Sequence, residues 1–204
     1  MAWAPTLNSH LARSGAGAEQ LARNVARALT AQSPGGSPGV VLEERRKLAE
    51  KASTFDIFLS HAREDAEIVL GVVGLLELLG KTVYVDWISD VQLDRSRVTP
   101  LHADVLRYRM RSSASMLYLT TANSTQSVWM PWELGYFDGH KPGHVAILPV
   151  MESGVGFEGQ EFLGLYPVME YGVGAGAGYS DWSIPGGSSG RINLDSFVSG
   201  TLAV

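Results

Sequence analysis

Short apolar runs recur along the middle of the chain, and longer segments with helical spacing separate them. Four runs are five or six residues long and rich in β-branched and aromatic side chains, which predicts buried strands. They span Phe55 to Ser60, Thr82 to Asp86, Ser115 to Thr120 and Val145 to Val150. A weaker run, Leu165 to Tyr171, predicts a fifth strand at the sheet edge, because Pro167 has no backbone N–H to donate.

The intervening segments predict helices that cover the sheet. They span Glu64 to Leu79, a segment that opens with Pro100 in its first turn, and Ser127 to Asp138, which Gly139 closes. Gly71 and Gly74 would let the first helix lie close against the sheet. Leu101, Val105 and Tyr108 share one face of the second. Strands that alternate with helices predict an α/β fold with a parallel sheet and helices on both faces.

The first 52 residues differ from the rest in charge, with 7 basic and 4 acidic side chains against 9 and 17 in the remainder. Apolar residues at helical spacing predict a helix over Ala18 to Ala31, and a charged helix over Val40 to Lys51 follows a Ser/Pro/Gly linker. We therefore divide the chain into an N-terminal helical extension, 1–52, and one domain, 53–204. This extension is either a solvated surface helix or flexible lead-in, or an arm that binds a partner.

The second domain has a core predicted over 54–171 and a tail, 172–204, that holds a glycine-rich loop and a terminal helix over Asn193 to Leu202. Hydrophobic residues make up 45% of the chain, so a substantial core is expected. The absence of cysteine excludes disulfides, cysteine-bound zinc and thiol catalysis. A net charge of −5 makes nucleic acid an unlikely partner, and no metal-ligand spacing is present among the histidines. We expect a soluble, cytoplasmic protein without a membrane segment.

The carboxyl ends of the predicted strands are the first place to look for a ligand site. Parallel sheets bind ligands at this edge, near the switch in strand order. The residues that follow the strands are Ser60, His61, Ala62 and Arg63, then Asp86 and Trp87, then the loops Thr120 to Ser127 and Met151 to Glu152.

Trp129 and Glu133 lie four residues apart in the last of these helices, so they share one helix face. An aromatic wall beside a carboxylate near strand ends fits a catalytic site. The alternative is structural, since a glutamate near a helix N-terminus complements the helix dipole while tryptophans pack in the core. From this segment alone, both interpretations remain open.

Four motifs together resemble the Toll/interleukin-1 receptor (TIR) domain family. They are Phe55 to Ala62, Tyr84 to Asp86 with the polar loop Trp87 to Arg97, the Trp129–Glu133 pair, and Ile147 to Val150. The resemblance covers about residues 54–171 and is closest to the bacterial, NAD-cleaving members linked to anti-phage defence. It implies a flavodoxin-like fold with five parallel strands. It also implies a loop after the second strand that contacts a neighbouring protomer, and hence a homo-oligomer formed through TIR–TIR contacts.

The resemblance implies an NAD+ glycohydrolase or cyclase, with NAD+ as substrate and no other cofactor. Glu133 would be the catalytic carboxylate, and a second set would bind substrate: Trp129, Ser60, His61, Ala62, Arg63, Asp86 and Trp87. Arg63 would pair with the pyrophosphate or, alternatively, form a surface ion pair with Glu64 or Glu67, and Ala62 stands where some members have a second arginine. The product would be ADP-ribose, a cyclic isomer or a conjugate that signals to a separate effector. The alternative function is a non-catalytic scaffold that acts through TIR–TIR assembly.

Overall fold

The computed structural model describes residues 17–33, 35–87, 100–150, 161–173, 180–185 and 190–200. Its helices are α1 (Ala18–Ala31), α2 (Pro38–Ala49), α3 (Ala66–Leu78), α4 (Pro100–Arg111), α5 (Trp129–His140) and α6 (Leu194–Val198). Its strands are β1 (Phe55–Ser60), β2 (Val83–Tyr84), β3 (Ser113–Thr120), β4 (Val145–Pro149), β5 (Glu170–Val173), β6 (Ser180–Pro185) and β7 (Arg191–Asn193). Short 3-10 helices cover Arg63–Asp65, Ser124–Gln126 and Glu161–Leu165.

Four parallel strands form the central sheet in the order β2-β1-β3-β4. All four lie where the sequence predicted strands, although β2 is shortened to Val83–Tyr84. Strand β1 is central, with Ile57 opposite Val83 on one side and Ser115 on the other. The predicted α/β fold, a parallel sheet flanked by helices, is therefore confirmed.

The predicted fifth parallel strand, Leu165 to Tyr171, is reduced to a single bridge. Val168 bridges Ile147 in the parallel sense, with Ile147 N donating to Pro167 O at 2.9 Å and Met169 N donating to Ile147 O at 2.7 Å. A 3-10 helix ends at Leu165, and from Glu170 the chain joins a different sheet. Because so few residues lie between this 3-10 helix and β5, no full fifth strand forms in the central sheet.

The tail folds into a second, antiparallel sheet that the sequence did not predict. Its order is β5-β6-β7, and helix α6 packs beside it. Trp182, Ile184 and Phe197 from this unit are buried in the same core as the helices on one face of the central sheet. Part of the glycine-rich loop predicted over 172–178 is thus strand, and residues 174–179 lie outside the described ranges. Helix α6 ends at Val198, and residues 201 and 202 of the predicted terminal helix lie outside those ranges.

The central sheet has a different core on each face. In β1 and β3, Ile57 and Leu117 face α3 and α1, whereas Phe58 and Tyr118 face α5 and α4. In β4 the even-numbered Leu148 lies in the first of these cores and the odd-numbered Ile147 in the second. The alternation follows from the two-residue period of a strand and decides which helix each strand residue meets.

Helix α1 packs directly on α3, so the described part of the extension is neither a flexible lead-in nor a purely solvated helix. Its Ala18, Ala22 and Ala26 are buried. A Cβ placed on Gly71 of α3 would lie 1.9 Å from the carbonyl oxygen of Ala22, which shows how closely the two backbones approach. Gly71 and Gly74 therefore admit a second helix, where the sequence analysis had expected them to admit the sheet.

Polar contacts fix both N-terminal helices to the domain. Arg23 of α1 pairs with Glu67 of α3 at 2.5 Å, and Arg45 of α2 pairs with Glu77 of α3. Whether the extension also binds a partner stays a prediction.

Helix α4 begins at Pro100 as predicted, but its apolar stripe faces outward. Leu101, Val105 and Tyr108 are 70%, 46% and 50% exposed, whereas Leu106 and Met110 reach the core. In the part of the chain that the structure describes, no helix is both long and apolar enough to cross a membrane.

Candidate active site

A buried carboxylate lies at the carboxyl end of the central strand. Glu133, in the second turn of α5, is only 6% exposed. Ser60, the last residue of β1, donates its hydroxyl hydrogen to Glu133 Oε2 at 2.6 Å. These residues are 73 positions apart in the chain. The structure thus brings together two residues that the sequence analysis assigned to one site.

The start of α5 holds Glu133 in this place. The hydroxyl of Ser127 accepts a hydrogen bond from Met130 N at 3.3 Å, which satisfies one of the free amides in the first turn. Pro131 lies in that turn, where its missing N–H costs no helical bond. The predicted stop at Gly139 is wrong, since the helix continues to His140 and Lys141 is its C-cap.

Trp129 begins an aromatic row along α5, one turn before Glu133. Its ring meets Trp132 edge-on, with 5.4 Å between the ring centres, and Trp132 stacks on Tyr136 at 5.9 Å. The guanidinium of Arg107 lies 5.5 Å from the centre of the Trp132 ring. Such contacts between aromatic rings and cations restrict the rings, and helical spacing puts Trp129 on the same face of α5 as Glu133.

His61 and Trp87 form a second wall of stacked rings. Their ring centres lie 5.7 Å apart and their planes differ by 18°. Both side chains are buried, and His61 Nδ1 lies 3.0 Å from the carbonyl oxygen of Leu59. His61 directly follows Ser60 in the chain, while Trp87 is buried in the core on the α3 side of the sheet.

The other predicted substrate-binding residues differ in their surroundings. Ala62 is fully buried in the apolar core on the α5 side. Arg63 lies in the 3-10 helix after β1 and forms no ion pair with any described residue. Glu67, one of its two predicted alternative partners, pairs with Arg23 and Arg27 of α1 instead. The loop beyond Trp87 and the Met151–Glu152 segment lie outside the described residues.

Asp86 is half-buried at the end of the second strand, close to Tyr84. Burial raises the pKa of Tyr84 above its usual value, and the negative charge of Asp86 raises it further. Ionised tyrosine is therefore disfavoured here, and Tyr84 acts as a neutral ring.

A buried carboxylate that the sequence analysis missed joins two loops at the same edge. Asp65 is 7% exposed and accepts hydrogen bonds from Thr121 Oγ1 at 2.5 Å and Asn123 Nδ2 at 2.7 Å. Burial raises the pKa of Asp65, although both hydrogen bonds oppose that shift. The loop that Asp65 holds leads into Ser127 and α5. A usable signal was present, since Asp65 and Thr121 follow neighbouring parallel strands and must end at one edge.

The three arginines of α4 have separate structural partners. Arg107 lies over Trp132, and Arg111 donates to the Tyr136 hydroxyl at 2.8 Å. Arg109 donates to the carbonyl oxygen of Ala52 at 3.0 Å and lies 5.3 Å from the centre of the Tyr84 ring. These contacts give each of the three arginines a structural partner. Among the described residues, no group of three histidine, aspartate or glutamate side chains is placed to hold a metal ion.

Comparison with curated proteins gave two relatives, and no family model matches the chain. The chain is 51% identical over 135 residues to a Bacillus cereus (strain MSX-D12) protein named "Probable 3' cyclic ADP-D-ribose synthase ThsB'", covering 65% of this chain and 69% of the relative. It is 30% identical over 88 residues to a Cytobacillus dafuensis protein named "Putative cyclic ADP-D-ribose synthase TIR2", covering 43% of this chain and 23% of that relative. This chain therefore belongs to the bacterial TIR-domain family that its sequence motifs predicted.

Proposed function

We propose that the protein cleaves the bond between nicotinamide and ribose in NAD+ and joins the resulting ADP-ribose into a ring. The observation that carries this proposal is the buried Glu133 carboxylate, which accepts a hydrogen bond from Ser60 at the carboxyl end of β1. The names of both relatives, which describe cyclic ADP-D-ribose synthases, support the same class of reaction.

The chemistry requires only one carboxylate. Nicotinamide is cationic within NAD+ and takes the bonding electron pair when it departs as a neutral molecule, so no general acid is needed. Positive charge then develops on the ribose in an oxocarbenium-like transition state. A carboxylate fixed beside that ribose stabilises the charge, and a site that excludes water strengthens the attraction. We assign this role to Glu133.

The acceptor decides the product. In the cyclase reaction, an acceptor group of the same ADP-ribose forms the new bond to the ribose carbon and loses one proton, so NAD+ yields cyclic ADP-ribose, nicotinamide and H+. Attack by water would instead release open ADP-ribose. We favour cyclisation because both relatives carry that activity in their names.

The neighbouring residues would shape and orient the site. Ser60 would fix the Glu133 carboxylate, while Trp129 and the His61–Trp87 stack would line the pocket for the nicotinamide ring. Arg63 is half-exposed and unpaired among the described residues, which suits a contact with the pyrophosphate. Asp86 would face the same strand edge, and Ala62 would contribute packing behind it.

The biological role that fits this activity is a signalling enzyme of bacterial anti-phage defence, acting in the cytoplasm. Its product would be read by a separate effector protein. NAD+ would be consumed as substrate, and no further cofactor would be needed.

A second candidate function is assembly without catalysis. The outward face of α4, with Leu101, Val105 and Tyr108 exposed, favours it because such a stripe is suited to contact another TIR domain. Assembly by itself does not exclude catalysis, since contact between two domains can also complete an enzyme site. Size-exclusion chromatography with light scattering, on wild type and Val105→Glu, would measure this assembly.

The activity is tested by incubating concentrated protein with NAD+ and identifying nicotinamide and the co-product by chromatography and mass spectrometry. Glu133→Gln keeps an oxygen that accepts from Ser60 but removes the charge, so we expect nicotinamide release to fall by more than about 100-fold. Glu161→Gln, which neutralises an exposed carboxylate outside the site, is the matched control and should retain activity. Equal rates in all three proteins would contradict the proposal, and a linear ADP-ribose product would refute cyclisation alone.

A further inference from the structure

One glycine of the N-terminal extension lies beside a residue of the candidate active site. A Cβ placed on Gly39, in the first turn of α2, would lie 3.7 Å from both Nε1 and Cζ2 of Trp87. The indole of Trp87 is 5% exposed and also stacks on His61. Its Nε1 has no hydrogen-bond partner among the described residues, so within that set only packing fixes the ring.

Helix α2 is itself anchored, so it can serve as a rigid support. Ser37 caps it by accepting a hydrogen bond from Val40 N, and Val41 and Leu42 are buried in the core. At the other end, Arg109 of α4 donates to the carbonyl oxygen of Ala52, just beyond the helix. A helix held at both ends transmits its position to whatever packs against it.

Side-chain contacts and one backbone link connect Trp87 with the proposed catalytic carboxylate. Trp87 stacks on His61, His61 follows Ser60 in β1, and Ser60 donates to Glu133. From this arrangement we infer that α2 is part of the active-site scaffold, with Gly39 as a positioning residue that sets where the Trp87 and His61 rings lie. The inference rests on the proposed function for its consequence in catalysis, while the contact itself can be tested separately.

Enlarging the side chain at position 39 would displace the indole. Alanine would meet it at ordinary contact distance, whereas leucine would need space that the ring occupies. We expect Gly39→Leu to raise KM for NAD+ about tenfold with a smaller change in kcat, because misplaced pocket walls weaken substrate placement. Gly39→Ala should raise KM less than about twofold. Lys47→Leu, on the exposed side of the same helix, controls for adding a leucine to α2.

A double-mutant cycle shows whether Gly39 acts through Trp87. In a Trp87→Ala background the ring is absent, so Gly39→Leu should no longer raise KM. A KM effect of the same size in both backgrounds would overturn the inference. A merely destabilising substitution would also lower the midpoint of urea unfolding without this dependence on Trp87.

The indole N–H signal of Trp87 in a ¹H–¹⁵N spectrum, identified by its loss in Trp87→Phe, gives a readout that needs no turnover. It should shift in Gly39→Leu and stay in place in Lys47→Leu. An unshifted signal would overturn the inference, and so would a shifted signal with unchanged KM. If wild type released no nicotinamide, the proposed function would fail, and the indole signal would still decide whether Gly39 positions Trp87.

Discussion

The two faces of the central sheet are covered by helices that differ in what they bury. On one face, α3 is apolar almost all round and is covered in turn by α1, so closely that Gly71 admits the backbone of Ala22. On the other face, α5 buries Glu133 against Ser60 and carries a row of aromatic rings. The core of the first face is apolar, whereas the second places a buried carboxylate within the fold. One sheet can carry these two different cores because adjacent residues of a strand point to opposite faces.

Glycines in the helices on the two faces show most clearly how closely each face is covered. Of the substitutions considered, Gly71→Ala should have the largest effect on stability. Its new Cβ would overlap the backbone of α1, which cannot move aside as a side chain can. We expect a loss of about 3 kcal/mol in the free energy of unfolding, measured by urea denaturation. Gly74→Ala is the matched control, since its Cβ would meet only the ends of Leu29 and Val25 side chains at 2.8 Å. Equal stability of the two variants would contradict the close helix contact.

Asp65→Ala should lower the free energy of unfolding by about 2 kcal/mol at pH 7, because Thr121 and Asn123 each lose a hydrogen-bond acceptor.

The loss of stability in Asp65→Ala should depend on pH. Burial raises the pKa of Asp65 in the folded protein above its unfolded value, so the folded state binds the proton more tightly. The stabilisation that comes from this tighter proton binding is fully present below the pKa of the unfolded state, and it is lost as pH rises through the pKa of the folded state. Wild type should therefore gain stability relative to the variant between pH 7 and pH 4, as urea denaturation at several pH values would reveal. A difference independent of pH would argue against a raised pKa.

Ser60→Ala tests the polar face with a smaller change. Without the hydroxyl, Glu133 loses a charged hydrogen bond, and kcat/KM for NAD+ should fall about tenfold. Ser115→Ala removes a buried hydroxyl that donates to the carbonyl oxygen of Asp56 at 2.9 Å, on the α3 side of the sheet. Steady-state nicotinamide release should be unaffected in Ser115→Ala. Similar losses in both variants would mean that the two faces do not differ in function.

The smallest predicted change in stability is a gain and not a loss. Gly135 and Gly139 lie in α5, and a Cβ on either would meet nothing within 4 Å. Alanine at these positions should stabilise the protein by about 0.5–1 kcal/mol, since glycine is a poor helix former. Thermal unfolding of each variant measures this, and destabilisation would show that α5 is as tightly covered as α3.

Patterns within short segments predicted most of the central fold. Strands β1, β3 and β4 are continuous apolar runs, and Ser127 with Pro131 marked the start of α5. Burial of α1 was harder to foresee, because its buried face consists of alanines, which give a weak hydrophobic signal, while Leu21 and Val25 are only half-buried. The antiparallel tail sheet depends on pairing across glycine-rich segments, which local patterns do not encode.

The candidate site was predictable to the extent that strand ends converge. That rule predicted that Ser60 and His61 lie near Trp87. In the structure His61 stacks on Trp87, and Ser60 donates a hydrogen bond to Glu133. The Asp65 cluster joins residues 56 and 58 positions apart, so no local spacing revealed it. Gly39 was equally hidden, because its contact with Trp87 depends on how α2 packs against the sheet.

The central claim is that Glu133 performs chemistry and does not merely pack α5 against the sheet. The most direct test measures nicotinamide release from NAD+ and the free energy of unfolding on the same preparation of Glu133→Gln. We predict that release falls by more than about 100-fold, while stability stays equal to wild type or increases, because a buried charge has been removed. A variant that loses stability but turns over NAD+ at the wild-type rate when folded would contradict the account and assign Glu133 a structural role.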